Sequence, residues 1–322
     1  MEDTWIVTGG CGFIGSHLTR ALVEKGYQVK VIDNLSSSSI DGIEDLIDSG
    51  DVAFFKEDVR DQDSLESIID GREIGMYHLA ADPSVRESVE KPIESFEQNV
   101  RGSMNLLEIM RQKGIKEMIF ASSGGTLYGD VETFPTKETT PLRPISPYGA
   151  SKAAVEMYLS AYASSYHLDI VSLRFANIYG PGSNHGVMHD FYNKLMEDPS
   201  KLTILGNGKQ AKGYLYIDDC VKAILLVGTW ISAPGNTGFH CFNLGTESWT
   251  TVTDLAEIMV DILDLQNVEF KYTGGERGWT GDVSKNLLDI TRIKELGWHP
   301  ETGIREGMSL FIHSLMEKSS PI

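Results

Sequence analysis

The stretch "TWIVTGGCGFIGSH" near the N-terminus limits the possible folds more than any other feature of the chain. A short β-branched and aromatic run from Thr4 to Thr8 leads straight into glycines at 9, 10, 12 and 15. Gly9, Gly12 and Gly15 fit G-x-x-G-x-x-G, while Gly10, Gly12 and Gly15 also fit G-x-G-x-x-G. Glycines at this spacing let a strand turn tightly into a helix, and they bring backbone N–H groups against a pyrophosphate at the helix N-terminus. The following "SHLTRALVEKG" places Leu18, Leu22 and Val23 at helical spacing and closes at Gly26.

Such a strand–turn–helix needs further units to bury it. Candidate strands "QVKVID", "VAFFKED", "GMYHLA", "KEMIFASS" and "DIVSLRF" alternate with helical patterns such as "SFEQNVRGSMNLLEIMRQKG". The alternation predicts an α/β fold, a doubly wound parallel sheet of Rossmann type with helices on both faces. After Phe175 the rhythm changes. "NIYGPGSNHG", "LTILGNGKQAKGYLYIDD" and a Gly/Thr/Trp-rich stretch at 272–282 describe a smaller, irregular C-terminal lobe around a returning strand, "HCFNLG". The expected division is 1–175 plus about 213–247 for the dinucleotide-binding domain, and about 176–212 plus 248–322 for a substrate-binding lobe.

Charge narrows the partners. The 322 residues include 28 basic and 46 acidic ones, a net charge of -18 with no basic stripe, so nucleic acid and anionic membrane are poor partners. Cys11, Cys220 and Cys241 are scattered, odd in number and lack metal-ligand spacing, which suits a reducing compartment. No charged leader or long apolar run opens the chain, so a cytoplasmic protein is expected. His185 and His189 make half a metal site with no third ligand in range, so no metal is expected. Asp218-Asp219 is expected to cap the helix that follows, and His17 and His78 to serve local packing or hydrogen bonding.

The second predicted strand ends in Asp33, followed by Asn34. A carboxylate there accepts the adenosine ribose hydroxyls and repels a 2′-phosphate, and no arginine follows to neutralise one, which favours NAD over NADP. Asp58-Val59 suits the adenine edge, and Ala80 and Ala81 are small where a cofactor would pass over the sheet.

Chemistry enters with "SPYGASKAAVEMY". Ser146 is a good N-cap and Pro147 a good first helical residue, so Tyr148 falls in a first turn with Lys152 one turn later on the same face. To act near neutral pH a tyrosine must lose about three pKa units, or ~4 kcal/mol. One cation at ~4–5 Å in an effective dielectric of ~20 supplies roughly 3–4 kcal/mol. Ser122 and Ser123 end the fifth predicted strand, where open α/β sheets bind ligands. A serine hydroxyl beside the phenol can hold a C–OH or C=O group in line for hydride transfer. Thr126 competes for that role, because Gly124-Gly125 leaves the register open by one residue.

These motifs, with "IDNLS", "EDVRD", "QNVRGSMNLLE", "ASSGGTLYG", "LRFANIYGPG" and "GERGWTGD", resemble the extended short-chain dehydrogenase/reductases over nearly the whole length, and among them the UDP-glucose 4-epimerase (nucleotide-sugar epimerase) family. The resemblance implies Tyr148 as base, Lys152 as its electrostatic partner and ribose ligand, and Ser123 as hydroxyl positioner. It implies that NAD meets Gly9, Gly12, Phe13, Ile14, Gly15, Asp33, Asn34, Asp58, Val59, Leu79, Ala80, Ala81, Asn99, Ser122 and the backbone at Ala176. It implies that a UDP-sugar meets Ser123, Thr126, Asn177, Val187, Thr203, Leu205, Lys212 and Arg277, with Asp282 on the ribose. Lys212 stands where relatives often carry arginine, keeping the charge without the fork.

The implied reaction is NAD-dependent 4-epimerisation of a UDP-hexose through a 4-keto sugar. Dehydratases carry Asp-Glu where this chain has Gly124-Gly125, and decarboxylases want a nearby Glu, so both are disfavoured. A uronate epimerase should offer an arginine where Asn184 and His185 stand, and N-acetylhexosamines depend on a gate near Trp279-Thr280. The alternative of another class is a non-catalytic NAD(H)-sensing scaffold, which would need none of Ser123, Tyr148 and Lys152. Val155, Met157, Tyr158, Leu159 and Tyr162, with "FEQNVRGSMNLLEIM", fit a four-helix homodimer interface of the family's kind, and equally a helix buried in a monomer.

Overall fold

The computed structural model describes residues 3–319, so Met1, Glu2 and 320–322 of the expected domain spans lie outside the described residues. Seven parallel strands form the central sheet: β1 (Thr4–Thr8), β2 (Gln28–Ile32), β3 (Val52–Phe55), β4 (Gly75–His78), β5 (Glu117–Ser123), β6 (Asp169–Phe175) and β7 (Phe239–Leu244). Their order is β7-β6-β5-β4-β1-β2-β3, so every strand read from the sequence takes its place, the returning one at an edge. The direction of winding reverses between β1 and β4, which opens a crevice at their C-terminal ends.

Strand alternation decides which helix covers which face. Val7, Val31 and Val171 point to one side and pack with α1 (Phe13–Glu24) and α4 (Ile217–Ile231). Their neighbours Ile6, Ile32 and Ile170 point to the other and pack with α2 (Gly102–Lys113) and α3 (Pro147–Tyr166). Both sheet faces are therefore apolar, as the near-continuous hydrophobic strands require. A third core, centred on Phe191, Ile204, Leu255 and Phe311, is built from residues beyond Phe175, including Tyr214, Tyr216 and Ile217, while Ile290, Ile293 and Trp298 join the core beneath the sheet.

Two local readings change. The segment before α2 is not a plain α-helix: Pro92–Phe96 runs into a π-turn at Glu97–Arg101 before α2 proper. A Cβ on Gly102 would stand 2.5 Å from Val59 Cγ2, so only glycine lets this helix approach the β3 side so closely. Asp219 does not cap α4. It is fully buried, and its Oδ2 accepts from the backbone N–H groups of Glu301 and Thr302 at 3.0 and 2.8 Å, tying down the approach to the Ile304–Ser319 helix. The histidines do serve local bonds: His17 Nε2 lies 2.9 Å from Pro181 O, and His78 sits between Thr8 and Ser103.

Candidate active site

The turn after β1 is built of bare backbone. Gly9 adopts φ +71°, and its N–H donates to Ile32 O at 2.8 Å. A Cβ on Gly15 would stand 2.0 Å from Gly9 O, so no side chain fits where α1 starts against the turn. Asp33, just past β2, is buried; it accepts from Cys11 N at 3.0 Å and from Leu35 N and Ser38 Oγ at 2.9 and 3.0 Å. Those bonds occupy three of about four carboxylate lone-pair sites, leaving room for a hydroxyl donor. Asn34 Nδ2 donates to Asp58 at 2.8 Å. An arginine does reach this end of the cleft, which sequence reasoning overlooked, but Arg60 grips Asp58 with Nε and Nη2 at 2.9 and 2.7 Å and holds that carboxyl well below its usual range. A glycine cradle that any Cβ would block, an acid with spare capacity and an arginine committed elsewhere fit an adenine dinucleotide with a free 2′-hydroxyl.

At the mouth of β5 the expected hydroxyls meet the expected phenol. Ser146 Oγ accepts from Gly149 N at 3.2 Å, capping α3, and Pro147 opens it. Tyr148 N donates to Ser88 Oγ at 3.1 Å, fixing the first turn. Thr126 Oγ1 donates to Ser123 Oγ at 2.9 Å, and Ser123 in turn bonds the Tyr148 phenol. Ser123 and Thr126 thus stand in one chain of two hydroxyls, with Ser123 the one bonded to the phenol. Lys152 Nζ donates to Ala121 O at 2.9 Å, lies 4.7 Å from the Phe120 ring centre and 6.0 Å from that of Tyr148.

The electrostatics differ from the expectation of a phenolate held by one cation. Burial pushes the phenol of Tyr148 up to about 12, with the Ser123 hydrogen bond pulling the other way. Burial also brings Lys152 down to about 7, with Glu156 opposing it. The low dielectric that would strengthen the attraction penalises both charges first, and desolvation wins.

The cleft encloses about 1020 Å³ and runs without a break from the glycine turn past Tyr148 to Lys212 and Asp282. Among the residues expected to touch ligands, Gly9, Gly12, Phe13, Ile14, Gly15, Asp33, Asn34, Asp58, Val59, Leu79, Ala80, Ala81, Ser122 and Ala176 line its cofactor side. Ser122 lines it without its hydroxyl, which is 2.6 Å from Glu156 Oε1 on the far side. Asn177, Val187, Leu205, Lys212 and Asp282 line the other end. There Lys212 Nζ pairs with Asp282 Oδ1 at 2.6 Å and lies 5.6 Å from the Trp279 ring centre, within cation–π range.

Three expected residues stay off the wall. Asn99 is buried in the π-turn, its side chain bonded to Asp82 N and O and to Ser151 Oγ. Thr203 lies in the Lys201–Ile204 strand, where its carbonyl accepts from Lys194 Nζ at 3.1 Å. Arg277 turns outward to Asp130 at 2.6 Å and to Asp282 O at 2.7 Å, drawn by the nearer carboxylate. Conversely Ser84, Val85, Arg86, Gln98, Trp279 and Asn286 line the cleft. The first three follow a strand's C-terminal end, a signal present in the sequence; Asn286 arrives by long-range pairing of Lys285–Asn286 with Ala211–Lys212, for which no local signal exists.

Comparison with known proteins gives a consistent picture. The model of the NAD dependent epimerase/dehydratase family matches residues 5–245. A putative UDP-glucose 4-epimerase of Methanocaldococcus jannaschii is 34% identical over 313 residues, covering 96% of this chain and 97% of that one. The crystal structure of UDP-glucose 4-epimerase with UDP-glucose from Thermotoga maritima is similar at a TM-score of 0.90 and 36% identity, covering 98% of this chain and all of that one. The Thermus thermophilus UDP-glucose 4-epimerase complex with NAD is similar at 0.86 and 33%, covering 97% and 99%.

Proposed function

This chain belongs to the NAD dependent epimerase/dehydratase family, and on that premise we propose that it is a 4-epimerase of UDP-hexoses, interconverting UDP-glucose and UDP-galactose through a 4-keto sugar. The observation that carries the reading is one continuous cleft in which Ser123, Thr126, Tyr148 and Lys152 stand between the glycine cradle and the Lys212–Asp282 pair. Gly9, Gly12 and Gly15 with Asp33 would hold the dinucleotide. Bound NAD supplies a reversible hydride acceptor and, oxidised, a positive charge.

The chain's own residues handle the proton. Tyr148 takes the proton of the sugar 4-hydroxyl and returns it; Ser123, aligned by Thr126, holds the same oxygen. Ionising the phenol near neutrality from about 12 requires about 7 kcal/mol. Lys152, its Nζ 6.0 Å from the phenol ring centre, is the chain's own cation at this point and supplies part of that. Lys212 and Asp282 would hold the diphosphate and ribose ends, as a point charge and an acceptor. Incubation with UDP-glucose or UDP-galactose should yield the 4-epimer, and Tyr148→Phe should abolish turnover while keeping cofactor. A protein that binds NAD(H) yet turns over no UDP-sugar would be the sensing scaffold instead.

A UDP-uronate reading has one observation in its favour: Arg86 lines the cleft, exposed and without an ion-pair partner among the described residues. A panel including UDP-uronates and UDP-N-acetylhexosamines separates the substrates. For assembly, exposed Met157, Tyr158 and Tyr166 on α3, with Ile93 and Phe96 in the segment beside it, support a homodimer, measurable by light scattering. No helix among the described residues is long and apolar enough to cross a membrane. Three free cysteines, two of them buried, support a cytoplasmic location.

A further inference from the structure

α3 carries Tyr148 and Lys152 toward β5, and one turn further it carries Glu156, a fully buried carboxylate that the chemistry above leaves without a task. Three consecutive residues of β5 hold these three side chains. The carbonyl of Ala121 accepts from Lys152, the hydroxyl of Ser122 donates to Glu156 at 2.6 Å, and the hydroxyl of Ser123 bonds Tyr148. Glu156 also accepts from Ser172 Oγ at 2.8 Å and from Arg174, whose Nη2 lies 2.6 Å from Oε2. Arg174 is itself buried, and its Nη1 donates to Tyr128 Oη and Glu138 O at 2.8 and 2.9 Å. Apolar residues of similar volume often stabilise a core as well as a buried ion pair does, so stability alone does not account for this one.

We propose that Glu156, partnered by Arg174, is a positioning residue for the proton transfer: it clamps the end of β5 to α3 so that Ser123 meets Tyr148, and its fixed charge favours the Lys152 ammonium over the amine. The proposal rests on Tyr148 and Lys152 being the acting pair. The titratable groups around Lys152 are few. Tyr148 and Glu156 share its helix, His78 faces it from β4, Arg174 stands behind Glu156 on β6, and Asp82 acts on Tyr148 from beyond β4. β5 contributes a phenyl ring and hydroxyls but no charge near it. Glu156 is the anion that opposes the effect of burial on Lys152.

The test is the double variant Glu156→Gln/Arg174→Met, which removes both charges together. Thermal unfolding, pH profiles of kcat and KM, and NMR titration of ¹⁵N-labelled lysine side chains (with Lys152→Met assigning the signal) are measured. The double variant is expected to keep its fold and KM. The alkaline limb of kcat and the Lys152 midpoint should move together to lower pH by about one unit, roughly tenfold in activity above the limb. A folded double variant with the parent's kcat profile and Lys152 midpoint overturns the proposal. Should it fail to fold, Glu156→Asp carries the test, keeping the charge but shortening its reach to Ser122. That variant should hold the Lys152 midpoint and lose kcat severalfold, and an unchanged kcat overturns the clamp. If Tyr148→Phe retained full turnover, the underlying reading would fail, whereas the lysine titration would still report on Glu156.

Discussion

Lowering the pH should destabilise this protein through one buried histidine, and the direction and size follow from its bonds. His78 is 1% exposed between Thr8 and Ser103, each 2.7 Å away. Ser103 Oγ donates to Asn99 O, so it can only accept from Nε2–H. Thr8 Oγ1 accepts from Ala80 N, so its own proton goes to Nδ1. The ring is therefore the neutral Nε2–H tautomer, and a second proton would set two donors face to face. Burial, with Lys152 adding to it, brings the ring down to about 3 from an unfolded value of 6.5. A base depressed in the folded state contributes full stability above pH 6.5 and loses it as pH falls toward 3. Between pH 6.5 and 4.5 the loss is about 2.3 kcal/mol, the slope rising from about half of ~1.4 per unit at pH 6.5 to nearly all of it below. The paired carboxylates Asp58, Asp70 and Glu73 are depressed too, so their losses begin below this window, and Lys152, brought down to about 7, titrates above it. Chemical unfolding of the parent and of His78→Gln at steps of half a pH unit isolates the effect, since all other groups cancel in the difference. The variant should start less stable at pH 7 and lose about 2.5 kcal/mol less on the way to pH 4.5. Equal losses in the two proteins would refute the argument.

Three further outcomes are expected. Gly15→Ala forces a Cβ to 2.0 Å from Gly9 O and 2.8 Å from Gly10 Cα, so NAD affinity should fall about 10–100-fold by fluorescence titration; Gly26→Ala, at φ +86° with nothing within 4 Å, should cost about 1 kcal/mol of stability and no affinity. Ser123→Ala removes the hydrogen bond that lowers the Tyr148 phenol, so the acid limb of kcat should move to higher pH with a drop of about 100-fold near neutrality; an unmoved limb would contradict the hydroxyl chain. Asp219→Ala breaks two bonds to a buried carboxylate and should cost about 3 kcal/mol in chemical unfolding while leaving cofactor binding intact.

What the sequence reveals and conceals follows from the range of the forces involved. The glycine turn and the Tyr148–Lys152 pair were legible because their determinants are local: Gly15 sits six residues from the carbonyl it must clear, and Ser146 and Pro147 set the register of α3 by themselves. Asp219 read as a helix cap because its distant partners, Glu301 and Thr302, leave no trace beside it. Arg277 carries the right charge for a phosphate, and its pairing with Asp130 depends on a chain crossing no spacing encodes. The same holds for Glu156 and Arg174, separated along the chain and joined only when α3 lies on β6. The desolvation that moves Tyr148 and Lys152 comes from everything packed around them, so a pairwise sum over two residues misses it.

The order of the sheet also bears on how the protein is made. β1 precedes the other strands in the chain yet lies in the interior of the sheet, between β2 and β4, whereas β7 at one edge follows after Phe175 and the loops beyond it. On the ribosome the glycine cradle therefore gains both its neighbours once β4 has emerged, well before Lys212 and Asp282 are translated. The strands flanking the glycine turn are thus complete long before the groove has a far wall, although α4, which packs with α1 on the same sheet face, is translated only after Lys212.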